Sequence, residues 1–171
     1  MNIEVKLNPK DYYLKFSSLG IRPDGRSFTE TRKSQVHAGS IASAIGSATV
    51  KIGKTIIVCG IKAEIASPNP YSPNQGYIIP NFDQSPMVCP NIKPGPPDSK
   101  SQIISERIFQ IVKKYAFSTY IRLPLEKLII VPGKVAWVLY LDLVCISDDG
   151  NLFDACMTAV TESLNDCIFI Y

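Results

Sequence analysis

Residues 147–159, SDDGNLFDACMTA, hold side chains that could do chemistry. Asp148, Asp149, Gly150 and Asn151 stand between an apolar run ending near Ile146 and an apolar helical stripe beginning at Phe153. A junction from strand to helix is a common place to hold phosphate, because the first backbone N–H groups of a helix lack partners and its dipole favours an anion. Phosphate chemistry would also want a hydroxyl and a cation, and positions 152 and 153 are Leu and Phe. Asp148, Asp149 and Asp154 are residue types that bind Mg²⁺, yet a turn acid and an acid in the first turn of a helix account for them. Cys59, Cys89, Cys145, Cys156 and Cys167 are scattered, with no C-x-x-C pair and a single histidine, His37. That pattern argues against zinc, and His37 has no Ser or Cys at a spacing that marks a hydrolytic triad. No metal and no cofactor is expected.

The elements that must position the junction follow from pattern. Residues 8–15 read as a short helix capped by Asn8 or Asp11, ending at Gly20, and RPDGR (22–26) reads as a turn. Arg22 and Arg26 flank Asp24; a clamp on that aspartate is favoured over contact with RNA. Apolar, β-branched residues over 34–41, 47–52 and 55–65, with Gly53-Lys54 between the last two, predict strands and a hairpin. Lys51 and Lys54 beside that turn read as charges that protect a sheet edge.

Residues 66–98 contain nine of the thirteen prolines. Proline removes a ladder donor, so this stretch is expected to be an exposed arm within one domain. Ser99 to Gln102 has the form of a capping box, and Ile104, Ile108, Ile111, Val112 and Tyr115 recur at helical spacing. Apolar runs at 128–131 and 135–146 around Pro132-Gly133 alternate little, which predicts strands covered on both faces. Phe153, Cys156, Met157, Val160 and Leu164 form a helical stripe. The domain is expected to span 21–166 after a helical segment at 1–20, with an apolar tail at 167–171 that pairs within its own sheet or seeks a partner's edge.

Composition sets broad limits. Hydrophobic residues at 46% and charged residues at 19% suit a globular chain. A net charge of +3 permits RNA contact without the dense cationic stripe of a protein that binds duplexes by charge alone. No export leader is read at the N-terminus and no run is long enough to span a bilayer, so a soluble intracellular protein is expected.

Several stretches together resemble the RNase PH family: RPDGR (22–26), GSATVKIGKTIIVCGIKAEIA (46–66) and VPGKVAWVLYLDLVCISDDGNLFDAC (131–156). The resemblance runs from about residue 12 to 166 and is nearest to ring subunits of the eukaryotic RNA exosome. It implies an α+β fold, an RNase PH-like mixed sheet flanked by helices, with the C-terminal part of the fold missing. It further implies a place in a hetero-oligomeric ring of RNase PH-like subunits that threads RNA for 3′ to 5′ processing and degradation, including rRNA maturation and mRNA turnover, in the nucleus, nucleolus and cytoplasm. RNA would be bound weakly or through the assembled ring, without a membrane.

Active members of the family carry an Asp-Gly-Gly-Thr/Ser-Arg junction whose hydroxyl and guanidinium fix the attacking phosphate. Laid on that pattern, Asp149 and Gly150 match, Asn151 takes the second glycine, Leu152 the hydroxyl and Phe153 the arginine. The acidic catalytic residue of active members belongs to the half not represented here. The resemblance therefore implies a non-catalytic structural subunit. The alternatives are a phosphate-dependent 3′ to 5′ exoribonuclease and a product without a stable role. Ring relatives carry arginines along one face of the helix equivalent to 101–115, where this chain has Glu106, Gln110 and Lys113. Lys113, with Arg107 and Lys114, is the candidate RNA contact, although an ordinary solvated face is the favoured reading.

Overall fold

Alternating burial along the strands gives this chain its layers. A computed structural model describes residues 7–84, 86, 88, 95–115 and 125–167, and its contacts divide the chain into two units, Met1–Lys33 and Ser34–Tyr171. Cys89, Pro90, Pro94 and the tail beyond Cys167 lie outside the described residues.

In the first unit, α1 (Pro9–Ser18) starts with proline at a position where no helical N–H is needed. Asn8 Nδ2 donates to Asp11 Oδ2, and the Asn8 side chain accepts no N–H of the first turn. The RPDGR turn closes through the Arg22 N–H on the Arg26 carbonyl at 2.8 Å. Arg26 alone clamps Asp24, with Nε 2.7 Å from Oδ2, and this bond holds the Asp24 carboxyl below its ordinary pKa. Arg22 reaches the Phe28 carbonyl instead, at 2.9 Å, so the expected two-sided clamp is one-sided.

The second unit is a six-stranded mixed sheet. Its strands are β1 (Ser34–Ala38), β2 (Gly46–Ile52), β3 (Thr55–Ala66), β4 (Tyr77–Gln84), β5 (Ile129–Val131) and β6 (Val135–Ser147), and its helices are α2 (Ser99–Tyr115) and α3 (Leu152–Asp166). The order is β1-β2-β3-β6-β4, with β5 also on β6; β4 runs parallel to β6 and the other pairs are antiparallel. β2 and β3 form the expected hairpin around Gly53-Lys54, register Ile52 to Thr55.

One face of this sheet makes the core. Leu139, Leu141, Leu143 and Cys145 of β6 align by register with Ile57, Cys59 and Ile61 of β3 and with Ile78 and Phe82 of β4. Ile108 and Val112 of α2 and Cys156, Val160 and Leu164 of α3 complete the same cluster. Both helices of this unit thus pack on one face. The expectation of two covered faces is corrected in part: on the outward row of β6 Ala136 and Val138 are buried, but Val144 at 43% and Ile146 at 54% exposure stay open to solvent, beside a Lys62–Asp142 ion pair at 3.6 Å. Outward apolar residues made the pattern look two-sided, but folded surfaces remain largely apolar, so such residues do not require a second layer.

The proline-rich stretch is also not a single arm, because β4 lies within it and joins the sheet through β6. Pro80 is tolerated because β4 is an edge strand. The missing donor at Pro80, and a Phe82 N–H already given to Ser105 Oγ of α2 at 2.9 Å, leave this edge little to offer another strand. The capping box is replaced as well. Ser99 is already helical, the Gln102 N–H bonds the Asp98 carbonyl, and the Gln102 side chain donates to the Pro97 carbonyl.

Burial controls the cysteines. It raises the thiols of Cys59 and Cys145 to about 11 and those of Cys156 and Cys167 to about 12. The unfolded chain releases these protons near pH 8.5 and therefore binds fewer protons than the native state above that pH, so stability falls as pH rises. The urea midpoint is expected to show no thiol contribution below pH 8 and to drop from pH 9 towards 12. Replacing Cys145 and Cys156 by alanine should flatten that alkaline limb, and an unchanged limb would contradict the assignment.

Candidate functional site: the junction between β6 and α3

Residues 148–153 turn the chain from β6 into α3 through two successive left-handed residues, Gly150 at φ 82° and Asn151 at φ 59°. Asparagine tolerates this conformation better than most side chains, which explains how it stands where a second glycine would be expected. Asn151 makes no side-chain cap; its carbonyl receives the Ala155 N–H at 3.3 Å.

Three other elements hold the junction. Thr55, fully buried at the start of β3, accepts from the Asp149 N–H at 3.0 Å and donates to the Gly150 carbonyl at 2.7 Å. Asp148 accepts the Gly150 N–H on Oδ1 at 2.9 Å and Gln84 Nε2, from the end of β4, on Oδ2 at 3.2 Å. The hairpin β2–β3, the edge strand β4 and helix α3 are thereby joined at one point. Thr55 and Gln84 were not singled out from the sequence, because their partners are 95 and 64 residues away and no local motif marks them. Thr55→Val keeps the shape and removes both bonds, leaving the Asp149 N–H and Gly150 carbonyl short of a partner. A loss of about 2 kcal/mol in unfolding free energy is expected, measured by urea denaturation.

Leu152 and Phe153 are half-buried and pack against the core cluster. They face hydrocarbon, and neither offers a hydroxyl or a charge. Asp149 and Gly150 are exposed and already engaged with Thr55. The junction turns through two left-handed residues into α3 and presents apolar side chains at 152 and 153. Among the described residues no group of His, Cys, Asp and Glu is placed to hold a metal, and no described helix is long and apolar enough to cross a membrane.

The candidate RNA residues do not gather at this junction. Lys113 and Arg107 are exposed on α2, as is Lys114. Arg107 and Lys114, seven residues apart, fall about 20° from one another around the helix, whereas Lys113 lies on a different line. Lys113 shares its line with Glu106 and Gln110, whose side chains bond each other at 3.0 Å. Lys113 Nζ sits 5.7 Å from the centre of the Phe109 ring. One cation beside an acid and an amide is not the row of phosphate contacts on which RNA affinity depends.

Comparison with known proteins gives a consistent set of matches. A family profile described as the 3′ exoribonuclease family, domain 1, matches residues 30–169. The chain is 39% identical over 159 residues to the exosome complex component rrp43 of Schizosaccharomyces pombe, covering 93% of this chain and 57% of that protein. It is 40% identical over 145 residues to the exosome complex component Rrp42 of Methanothermobacter thermautotrophicus, covering 85% of this chain and 52% of that one. The chain thus spans about half the length of these relatives. Its fold superposes at a TM-score of 0.84 and 34% identity on a chain of the Archaeoglobus fulgidus exosome solved with RNA bound to the active site, over 97% of this chain and 63% of that one. That solved fold is a mixed sheet flanked by helices, as here.

Proposed function

Because this chain belongs to the 3′ exoribonuclease family through that domain, we propose that it is a non-catalytic structural subunit of an RNA exosome ring. Its partners are other RNase PH-like subunits, and its work supports 3′ to 5′ RNA processing and degradation in rRNA maturation and mRNA turnover, in the nucleus, nucleolus and cytoplasm. The single observation that carries this reading is the pair Leu152 and Phe153, packed on the core where a phosphorolytic enzyme needs a hydroxyl and a cation. Relatives named as exosome components over most of the chain support the assembly. RNA contact through Lys113, Arg107 and Lys114 is an accessory part of the proposal, since so few cations contribute little affinity unless others act with them.

An affinity pull-down of the tagged 171-residue chain, with mass spectrometry of the co-purifying proteins, tests it. Recovery of RNase PH-like ring subunits is expected; recovery of chaperones alone would overturn the structural role. The rival reading, a phosphate-dependent exoribonuclease, predicts that added phosphate releases nucleoside diphosphates from RNA. The purified chain is expected to release none.

A further inference from the structure

On the face away from both helices, the end of the sheet nearest the junction is open. Val58 of β3 stands opposite Val144 of β6, and Ile146 follows on the same side of β6. The register slips between Ile56 and Ile57, so Ile146 is the extra residue of a bulge, and it and Val144 are the two exposed residues of β6. We propose that this open end docks a second copy of the chain, with the two sheets face to face about a two-fold axis that runs along the strands.

The patch is bounded, and its shape suits another sheet. Towards the other end of β6, Ala136 and Val138 are buried. Between them and the patch, Ile41 lies on Gly60, where an added Cβ would be 3.2 Å from Ile41 Cδ1, and the Lys62–Asp142 ion pair sits alongside. Ile56, Val58, Val144 and Ile146 remain as an apolar strip on the two central strands. β3 and β6 each have a neighbour on both sides, so neither offers ladder groups to an added strand. Two sheet faces bury such strips against one another at a separation of about 10 Å.

The charges beside the strip select a copy of the same surface. Lys51 of β2 is opposite Ile56, and Asp83 of β4 is opposite Val144. Both are exposed, and neither makes an ion pair among the described residues. β2 and β4 flank the central pair, so the cation and the anion stand about 14 Å apart, three strand spacings. An axis lying in the interface and running between β3 and β6 carries β2 of one copy over β4 of the other. Each Lys51 then approaches Asp83 of the other copy, one pleat along the strand and within reach of a four-carbon stem. An axis across the strands would set Lys51 on Lys51 and Asp83 on Asp83. The face is therefore self-complementary in one orientation, as an isologous interface requires.

Size sets the strength. Four strands at about 4.8 Å and about five residues at about 3.4 Å cover roughly 300 Å² in plan, well below the about 800 Å² that each partner of a stable complex buries. Association at tens of micromolar is expected rather than a permanent dimer. This dimer does not depend on the ring proposed above.

Sedimentation velocity of the 171-residue chain in reductant, at concentrations on either side of that value, tests the interface. A monomer–dimer equilibrium is expected, and Val144→Gln should weaken it about tenfold. Lys51→Glu and Asp83→Lys should each weaken it about fivefold, and the two together should restore the native constant, because the exchanged charges face each other again. All three side chains are exposed, and circular dichroism verifies that each variant is folded. A chain that stays monomeric at several times the expected constant, or a double exchange that fails to restore association, would overturn the proposal. A monomeric chain that loses ring subunits from the pull-down on Val144→Gln would assign the face to a ring subunit and overturn the second copy. Self-association with no ring subunit recovered would leave the dimer standing and remove the ring role.

Discussion

Replacing Gly46 by alanine is expected to lower unfolding free energy by about 3 kcal/mol. The added Cβ would stand 2.4 Å from the Ser163 carbonyl oxygen and 2.6 Å from Cys167 Sγ, so the last turn of α3 and the first residue of β2 cannot both keep their places. The same corner carries Asp166, whose Oδ2 accepts the Gly39 N–H at 3.1 Å and the Ser47 N–H at 3.0 Å. Moving α3 outward to admit a methyl group would lengthen both of these bonds. Gly60→Ala is the matched control: its Cβ meets Ile41 Cδ1 at 3.2 Å, the far end of a flexible side chain, and a change below about 1 kcal/mol is expected. Urea denaturation of the two variants side by side measures the difference. Equal midpoints would show that the helix can shift at little cost.

Restoring the family's side chains at the junction, with Leu152→Thr and Phe153→Arg together, is expected to destabilise the chain by about 2–4 kcal/mol and to yield no phosphorolysis. Both native side chains pack on the core, so the substitution removes hydrocarbon from that contact and brings a guanidinium against it. Phosphorolysis by the family also uses, as the resemblance implies, an acidic group outside the stretch matched by these 171 residues, which two substitutions at the junction do not supply. Denaturation and an assay for phosphate-dependent release of nucleoside diphosphates read the two effects separately. Native stability in the variant would mean that Leu152 and Phe153 are not structural. Released diphosphates would mean that two side chains alone had silenced an enzyme.

Much of this architecture was readable from local pattern. Hairpin β2–β3 follows from two β-branched runs on either side of Gly53-Lys54, and α3 from the spacing of Cys156, Val160 and Leu164, all of which are buried. These features depend on neighbours a few residues away, where periodicity and turn chemistry act. The proposal that the junction holds no phosphate also starts from the sequence, because hydrocarbon at 152 and 153 cannot neutralise an anion.

What escaped the sequence depended on distant partners. The stretch rich in proline looked unfit for a sheet, yet β4 takes its place at the edge, where a missing N–H at Pro80 is harmless. Ala155, Ala159 and Ser163 widen the buried face of α3 because β2 and β3 approach it closely. Thr55, Gln84 and Asp166 act only once the chain brings in partners between 64 and 127 residues away, the Asp148 carboxylate for Gln84 and backbone groups for the other two. Local pattern carried the β2–β3 hairpin, helices α2 and α3 and the family resemblance, since those rest on residue type and short-range spacing. Tertiary structure alone decided which sheet face is covered, which polar groups tie the junction together, and that Val58, Val144 and Ile146 share one open patch, since these follow from contacts that no local pattern records.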